Sequence, residues 1–328
     1  MKVSIIIPVY NVEPYIERCL QSVMAQTYQG PMECLIVDDC GSDESMDIVN
    51  QMVFNYQGPI QFKILHHDHN RGLSAARNTG IDTATGDYIF FLDSDDEIFE
   101  YCLEKLVEPL KEEHYDLVVG SVCTKGNNGR HQWLMLKLHN GDILRGKAIE
   151  THYYTKWNMM AQNKLYRLAF LRQQNLRFKE GLVHEDDLWS LQVACLAQSL
   201  RAVNLFTYVY YVREGSITQA TNAKVQRCAM LKIITVEICK FLKERKIFSI
   251  KAYQLMLKYF YNSFELSQHD RTIFVQEYCE LRKAALLPMS YHIRACGMHL
   301  RAQLHNLYYL LPPRLAAQII FKRNYKKN

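Results

Sequence analysis

Short apolar runs alternate with amphipathic helical stretches along the first 122 residues, and this alternation restricts the possible folds more than any other feature. The predicted strands cover residues 3–10, 33–37, 60–65, 88–92 and 117–122. The predicted helices lie between them, near 14–24, 42–55, 73–84 and 99–114. Repeated strand-helix order predicts a doubly wound α/β fold, with a mostly parallel sheet flanked by helices. Functional residues are then expected in the loops at the carboxyl ends of the strands.

The pattern changes further along the chain. Residues 125–154 are more polar, with only short apolar runs. Three elements are predicted next: a helix at 163–174, a helix from about Asp186 and a strand at 202–212. Long helical patterns follow at 225–242, 252–266 and 274–286. We therefore predict an α/β domain over residues 1–220 and a C-terminal helical region with a basic tail over residues 221–328.

Composition agrees with a globular intracellular protein. The chain has 328 residues, of which 48% are hydrophobic, enough for a full core. Its ten cysteines form no CxxC pair, which favours a reducing compartment. We see neither a signal peptide nor a stretch of about 20 apolar residues that could span a bilayer. The expected location is the cytoplasm, with possible peripheral attachment to the inner face of the cell membrane.

Polar groups follow the first two predicted strands. The first loop contains Pro8, Tyr10, Asn11 and Glu13. Alone, this loop is better explained as a plain strand exit with a helix cap at Asn11. The second loop begins with Asp38 and Asp39, which a helix cap does not explain, and a carboxylate there could bind a nucleobase imide or a ribose hydroxyl.

An acidic cluster, Asp93-Ser94-Asp95-Asp96, closes the strand predicted at 88–92. Three crowded carboxylates repel one another and raise one another's pKa, so a cation would relieve the cost. Mg²⁺ or Mn²⁺ is typically held by one or two carboxylates together with substrate phosphates. The alternative is a solvated acidic turn that caps the next helix.

Other charged residues lie near predicted helix starts. Arg71 and Arg77 flank one start, where arginine and helix amides both favour phosphate, although solvated surface arginines are an equal alternative. Glu185 and Asp186 open another helix. They could only compensate the helix dipole, but a positioned carboxylate is also a suitable general base. Arg213 begins a polar loop that could close over a diphosphate.

Taken together, these motifs resemble glycosyltransferase family 2, the inverting nucleotide-sugar enzymes with the GT-A fold. The resemblance covers about two thirds of the chain, in the order of the family. It is carried by Pro8-Val9-Tyr10-Asn11, Val37-Asp38-Asp39, Asn70-Arg71-Gly72-Leu73-Ser74-Ala75-Ala76-Arg77-Asn78, Asp93-Ser94-Asp95-Asp96, Asn163-Lys164-Leu165-Tyr166 and Glu185-Asp186.

The resemblance implies a role for each of these groups. Pro8, Tyr10, Asn11 and Glu13 would border the nucleoside, Asp39 would hold the base, and Arg77 would lie near the ribose or phosphate. Asp95 would bind Mg²⁺ or Mn²⁺ with help from Asp93 or Asp96. Asp186, after Glu185, would take the proton of the acceptor hydroxyl.

The implied activity is transfer of a sugar from a nucleotide diphosphate donor, expected to be a UDP-sugar. The acceptor would be a hydroxyl of a cell-surface saccharide or lipid-linked saccharide, as in bacterial polysaccharide assembly. One alternative is a sugar nucleotidyltransferase, which would usually carry a glycine-rich loop after the first strand; residues 9–13 contain no glycine. Another is a non-catalytic module that binds nucleotide sugars, against which the retained acids at Asp95 and Asp186 argue.

The end of the chain is basic: no acid follows Glu280, whereas nine lysines and arginines do. An apolar helical face is predicted there. Its members are Ile293, Leu300, Leu304, Leu307, Tyr308 and Leu311. Two interpretations have equal weight: the helix lies on an anionic membrane surface, or it packs on its own domain. Nucleic acid is not an expected partner, because the basic residues are interleaved with leucine and isoleucine and no recognition motif occurs.

Overall fold

The computed structural model describes residues 1–126, 131–134, 138–156, 160–212 and 223–325. Its strands are β1 (Val3–Val9), β2 (Met32–Asp38), β3 (Gln61–His66), β4 (Tyr88–Phe91), β5 (Glu97–Ile98), β6 (Leu117–Lys125), β7 (His131–Leu134), β8 (Ile143–Arg145), β9 (Lys164–Arg167) and β10 (Ser199–Tyr211). Its helices are α1 (Glu13–Met24), α2 (Ser45–Asn55), α3 (Leu73–Thr83), α4 (Cys102–Val107), α5 (Lys147–Lys156), α6 (Leu168–Gln173), α7 (Glu185–Leu196), α8 (Ala223–Glu244), α9 (Ile250–Asn262), α10 (Arg271–Ala284), α11 (Met289–Cys296), α12 (Leu300–Leu310) and α13 (Pro313–Tyr325).

The described part of the chain forms two compact units. One comprises Met1–Gly181 and Glu185–Glu214, and the other comprises Leu182–His184 and Gly215–Asn328. The first contains the sheet and the second is helical. No helix among the described residues is long and apolar enough to cross a membrane.

The strands of the first unit join in one sheet with the order β3-β2-β1-β4-β9-β6-β10-β5, with β7 beside β6 and β8 beside β10. The pairs β3–β2, β2–β1, β1–β4 and β6–β10 are parallel. β9 runs antiparallel between β4 and β6. The predicted α/β class, a sheet flanked by helices and followed by a helical region, is confirmed. The sheet itself is mixed, because β5, β7, β8 and β9 pair antiparallel.

The alternation of side chains along β1 explains why helices cover both faces of the sheet. Ile5 and Ile7 belong to a buried cluster that includes side chains of α1 and α2, whereas Ile6 belongs to a second cluster with Ile81 of α3. Because successive strand residues point to opposite faces, a strand that is apolar throughout must be covered on both. β1 is accordingly buried along its whole length.

The helix predicted at 163–174 is partly wrong. Residues 164–167 form β9, and only the residues from Leu168 onward are helical. Leu165 and Tyr166 are buried between β4 and β6, whose backbones supply the hydrogen bonds of the strand. Pairing with strands distant in sequence therefore overrides the local helical pattern.

Two predicted helix bounds also differ. The helix predicted from residue 42 begins at Ser45. Asp43 lies before the helix, and its side-chain Oδ1 accepts from the Ser45 amide at 3.2 Å. The helix predicted at 99–114 is shorter: α4 covers only Cys102–Val107, and a 3-10 turn follows at Glu108–Lys111. Pro109 in that turn has no amide hydrogen for an α-helical bond.

The apolar face predicted near the C-terminus does not lie on one helix. Gly297, at φ +48°, separates α11 from α12. A left-handed backbone at this position suits glycine and ends α11.

Gly80 marks the closest approach of α3 to β1, and its substitution tests this packing. A Cβ at residue 80 would lie 2.4 Å from Ile6 Cγ2. Overpacking typically costs about 1–3 kcal/mol, and alanine regains about 1 kcal/mol of helix propensity, so Gly80→Ala should lower the free energy of unfolding by up to about 2 kcal/mol. Urea denaturation measures this loss.

Ile6→Ala provides the matched background. It removes the three Ile6 side-chain atoms that a new Cβ would meet, so adding Gly80→Ala to Ile6→Ala should cost nothing further or should stabilise the protein. Equal losses in both backgrounds would show that the two residues do not press on each other.

Candidate functional site

The acidic loop after β4 brings three carboxylates together. One oxygen each from Asp93, Asp95 and Asp96 lies within 4.8 Å of the other two. Asp93 and Asp95 are half-buried, whereas Asp96 is fully buried. Close oxygen ligands of this kind suit a hard divalent cation, so the residues fit the predicted Mg²⁺ or Mn²⁺.

Asp96 is also bound by protein groups. Its Oδ2 accepts from the Tyr208 hydroxyl at 2.7 Å, and its Oδ1 accepts from the Tyr211 amide at 2.9 Å. Burial, with the nearby charges of Asp95 and Asp93, raises the pKa of Asp96 well above its ordinary value. The residue therefore fastens the acidic loop to the end of β10, and Asp93 and Asp95 are its more accessible carboxylates.

A fully buried arginine connects the acidic loop to α7. Arg77 Nη2 donates to Asp93 Oδ1 at 2.8 Å. Arg77 Nη1 donates to Glu185 Oε1 at 2.6 Å and to Asp186 Oδ1 at 3.3 Å. Burial works against the charged guanidinium, but Asp93, Asp186 and Glu185 raise the pKa of Arg77 above its ordinary value. One cation thus holds carboxylates of two separate elements side by side.

Asp186 has the properties of a proton acceptor near neutral pH. Burial raises the pKa of its carboxyl to about 7; Arg77 opposes this rise and Glu185 adds to it. The side chain is still 26% exposed, whereas that of Glu185 is 9% exposed. A carboxylate with a pKa near the working pH and an open side can exchange a proton with a bound molecule.

Gln162 also binds Asp93, and Lys164 binds the backbone at Gln162. Gln162 Nε2 donates to Asp93 Oδ2, on the carboxylate oxygen that Arg77 does not hold. Lys164 Nζ donates to the carbonyl oxygens of Met160 and Gln162. Burial lowers the pKa of the Lys164 ammonium to about 7.

Asp39 binds the loop that precedes α3. Its two carboxylate oxygens accept from the amides of Arg71 and Gly72, each at 2.8 Å. Its Oδ1 also lies 2.6 Å from His67 Nδ1. Asp39 is almost fully buried, so it positions this loop beside the end of β2.

The first loop occupies the neighbouring strand end. Pro8 lies within β1 and is buried, whereas the ring of Tyr10 is exposed. Asn11, at φ +51°, accepts from the Ser42 amide at 2.8 Å through Oδ1. Glu13 Oε2 accepts from the Glu44 amide at 3.2 Å. This loop is therefore tied to the loop after β2, and it does not use Asn11 as the cap of α1, whose N-cap is Val12.

The remaining predicted site residues have different positions. Ser94 is buried within the acidic loop. Arg71 is partly exposed, with its Nη2 3.5 Å from Glu180 Oε2. Arg77 is not free to face a ligand phosphate, because its whole side chain is inaccessible and paired with carboxylates. Arg213 lies outside the described residues.

Sequence reasoning missed four residues of the site: His67, Gln162, Tyr208 and Tyr211. Each bonds a carboxylate from a remote part of the chain, which local patterns do not reveal. Lys164 lies within the motif Asn163-Lys164-Leu165-Tyr166 that carries the family resemblance, although no role was assigned to it.

Comparison of the sequence with known proteins finds similar glycosyltransferases. The sequence model described as Glycosyl transferase family 2 matches residues 4–173. Glycosyltransferase GlyA of Streptococcus pneumoniae serotype 4 (strain ATCC BAA-334 / TIGR4) is 31% identical over 232 residues, which are 68% of this chain and 32% of that protein. The poly(ribitol-phosphate) beta-N-acetylglucosaminyltransferase TarS of Staphylococcus aureus (strain Mu50) is 28% identical over 73% of this chain and 40% of its own length. The match spans less than half of either relative.

A solved structure resembles the chain over its full length. The crystal structure of S. aureus TarS 1-349 in complex with UDP-GlcNAc superposes with a TM-score of 0.69 at 23% identity, covering 100% of this chain and 92% of that one. The similarity supports the predicted GT-A class of fold.

Removal of the buried arginine tests the central ion-pair network. Arg77→Met would leave Asp93, Glu185 and Asp186 without their shared cation, and breaking a buried pair typically costs about 3–5 kcal/mol. We expect a loss of this size in the free energy of unfolding at pH 7, measured by urea denaturation.

Arg71→Met is the matched control, since Arg71 is partly exposed and its carboxylate partner is more distant. It should cost less than about 1 kcal/mol. Adding Glu185→Gln to Arg77→Met should restore part of the loss by removing one unpaired charge. Equal stability of the Arg77 and Arg71 variants would contradict this interpretation.

Proposed function

The chain belongs to glycosyl transferase family 2, and we propose that it transfers a sugar from a UDP-sugar to an acceptor hydroxyl with inversion at the anomeric carbon. The observation that carries this proposal is the Arg77 guanidinium, which holds Asp93 of the acidic loop beside Asp186 of α7. A donor diphosphate at the acidic loop and a proton acceptor at Asp186 would then lie next to each other. That is the arrangement that a displacement at the anomeric carbon requires.

The proposed donor site lies at the ends of β1, β2 and β4. The exposed residues Tyr10, Asn11 and Glu13 would border the nucleoside. Asp39 would support this site by binding the Arg71 amide. The complex of the similar S. aureus TarS fragment with UDP-GlcNAc supports a UDP-sugar as the donor. The acceptor is proposed to be a saccharide or a lipid-linked saccharide.

The proposed reaction is a direct displacement. The acceptor oxygen forms a bond to the anomeric carbon while the bond from that carbon to the donor phosphate breaks, and the electron pair leaves with the diphosphate. The acceptor proton passes to Asp186, whose raised pKa of about 7 suits a base at neutral pH. Arg77 holds the Asp186 carboxylate in place, and Glu185 in turn binds the same guanidinium.

Asp93 and Asp95, with Asp96 behind them, would hold Mg²⁺ or Mn²⁺. Such an ion neutralises negative charge on a leaving diphosphate. Gln162 and Arg77 each hold one oxygen of Asp93, which would fix the direction of its remaining lone pairs.

Asp186→Asn tests the assignment of the base. A positioned base contributes about 10²–10⁴-fold, so turnover should fall by that factor while the affinity for UDP stays within about threefold. Release of UDP from a panel of UDP-sugars with saccharide acceptors measures turnover, and calorimetry measures UDP binding.

Asp187→Asn is the matched control, because it makes the same change one residue later in the same helical turn. Its turnover should stay within about threefold of the wild type. Near-normal transfer by Asp186→Asn would exclude it as the base, and UDP binding without turnover of any tested sugar by the wild type would favour a non-catalytic module.

Asp95→Asn tests the role of the acidic loop. We expect chelation to weaken UDP binding by the wild type about tenfold or more, and Mn²⁺ to restore it, since an ion held by the acidic loop would neutralise the charge of the diphosphate. Asp95→Asn should lose this response, whereas Glu100→Gln, at an exposed acid nearby, should keep it. Calorimetric titration of UDP with and without Mn²⁺ measures both. Identical UDP affinities under all conditions would argue against a bound cation.

A further inference from the structure

The helix α12 exposes its leucines. Leu300, Leu304, Leu307 and Leu310 are 71%, 55%, 55% and 66% exposed. Their spacing of four, three and three residues places them along one side of the helix. We call these four side chains the leucine face.

The opposite side of α12 is small or polar and is buried. It contains Ala302 and Asn306. Asn306 Oδ1 accepts from the Tyr253 hydroxyl of α9 at 2.8 Å, and its Nδ2 donates to Cys296 Sγ of α11 at 3.4 Å. The helix is therefore amphipathic in the reverse of the usual sense, with an asparagine inside and leucines outside.

Further contacts fix the rotation of α12 about its axis. Arg282 of α10 donates to the carbonyl oxygens of Tyr308 and Tyr309, at 3.2 and 2.7 Å. The rings of Tyr309 and His292 stack with centroids 4.1 Å apart. Turning the helix to bury the leucines would leave these polar groups unpaired in the interior, which is costly. The exposure of the leucine face is thus built into the packing.

The C-terminal segment that contains the leucine face carries charge of one sign. The chain after Glu280 contains nine basic residues and no acidic residue. Four of the basic residues are exposed on α11 and α13: Arg294, Arg314, Lys322 and Arg323. A helix with exposed leucines next to lysines and arginines has the two features of proteins that bind anionic bilayers, namely apolar insertion and attraction to phosphate head groups.

We propose that the leucine face docks on an anionic lipid bilayer, with the leucine side chains at the acyl boundary and the nearby basic residues at the head groups. A second copy of the chain fits less well, because apposed leucine faces would bring two basic segments of the same sign together. This binding requires no sugar transfer, so it is measured separately from the proposed activity.

Vesicle flotation of the full chain tests the proposal. The chain should float with phosphatidylcholine vesicles that contain phosphatidylglycerol, and flotation should fall in high salt and with pure phosphatidylcholine. The double variant Leu304→Gln with Leu307→Gln should lower the partition coefficient about 100-fold, since each leucine removed from water contributes roughly tenfold. Arg314→Gln with Lys322→Gln should lower it about tenfold or more.

The matched control is Leu205→Gln with Leu266→Gln, which changes two exposed leucines outside the leucine face. It should float like the wild type. Circular dichroism and urea denaturation show whether each variant is folded, and sedimentation gives its oligomeric state. The proposal is overturned if the wild type fails to float with anionic vesicles or if both leucine pairs give equal loss. It is also overturned if the Leu304 and Leu307 changes dissociate an oligomer without affecting flotation.

Discussion

The buried ion-pair network around Arg77 is the interaction on which the site depends. The guanidinium lies on α3, and its three carboxylate partners come from the loop after β4 and the first turn of α7. A charge removed from water is tolerated only when it is paired and hydrogen-bonded, so neither side of this network is stable without the other. The arginine therefore turns two acidic segments, more than 90 residues apart in sequence, into one site.

The same network explains why Asp186 and Glu185 differ, although they are adjacent. Glu185 is nearly buried and bonds the guanidinium at 2.6 Å, whereas Asp186 is more open and lies 3.3 Å from it. Burial makes the charged form of a carboxylate less favourable, and a more distant cation offsets less of that effect. The raised pKa of Asp186, about 7, fits this difference. One arginine thus supports a structural acid and a proton acceptor in the same helical turn.

The sequence was sufficient to predict the first half of the sheet, because β1, β2 and β4 are covered on both faces and so appear as continuous apolar runs. The acidic loop was also predicted, because it directly follows the apolar run of β4. β9 was not predictable in this way: it has four residues, one of them a lysine, and it exists because β4 and β6 pair with it. The structural role of Arg77 was missed for a similar reason, since its partners are remote and a local pattern does not distinguish it from the exposed Arg71.

In the helical unit, too, buried polar groups determine which side chains are exposed. Tyr253, His292 and Asn306 form a buried hydrogen-bonded cluster, with the Tyr253 hydroxyl 2.7 Å from His292 Nδ1. Burial lowers the pKa of His292 to about 4, so the ring is neutral at physiological pH and adds no buried charge. These hydrogen bonds form only when Asn306 points into the interior, so the cluster fixes the rotation of α12 about its own axis. Hydrophobicity alone would favour the opposite rotation, with the leucines inside. The polar cluster therefore determines which surface α12 presents, just as the buried arginine in the first unit determines which carboxylates share a site.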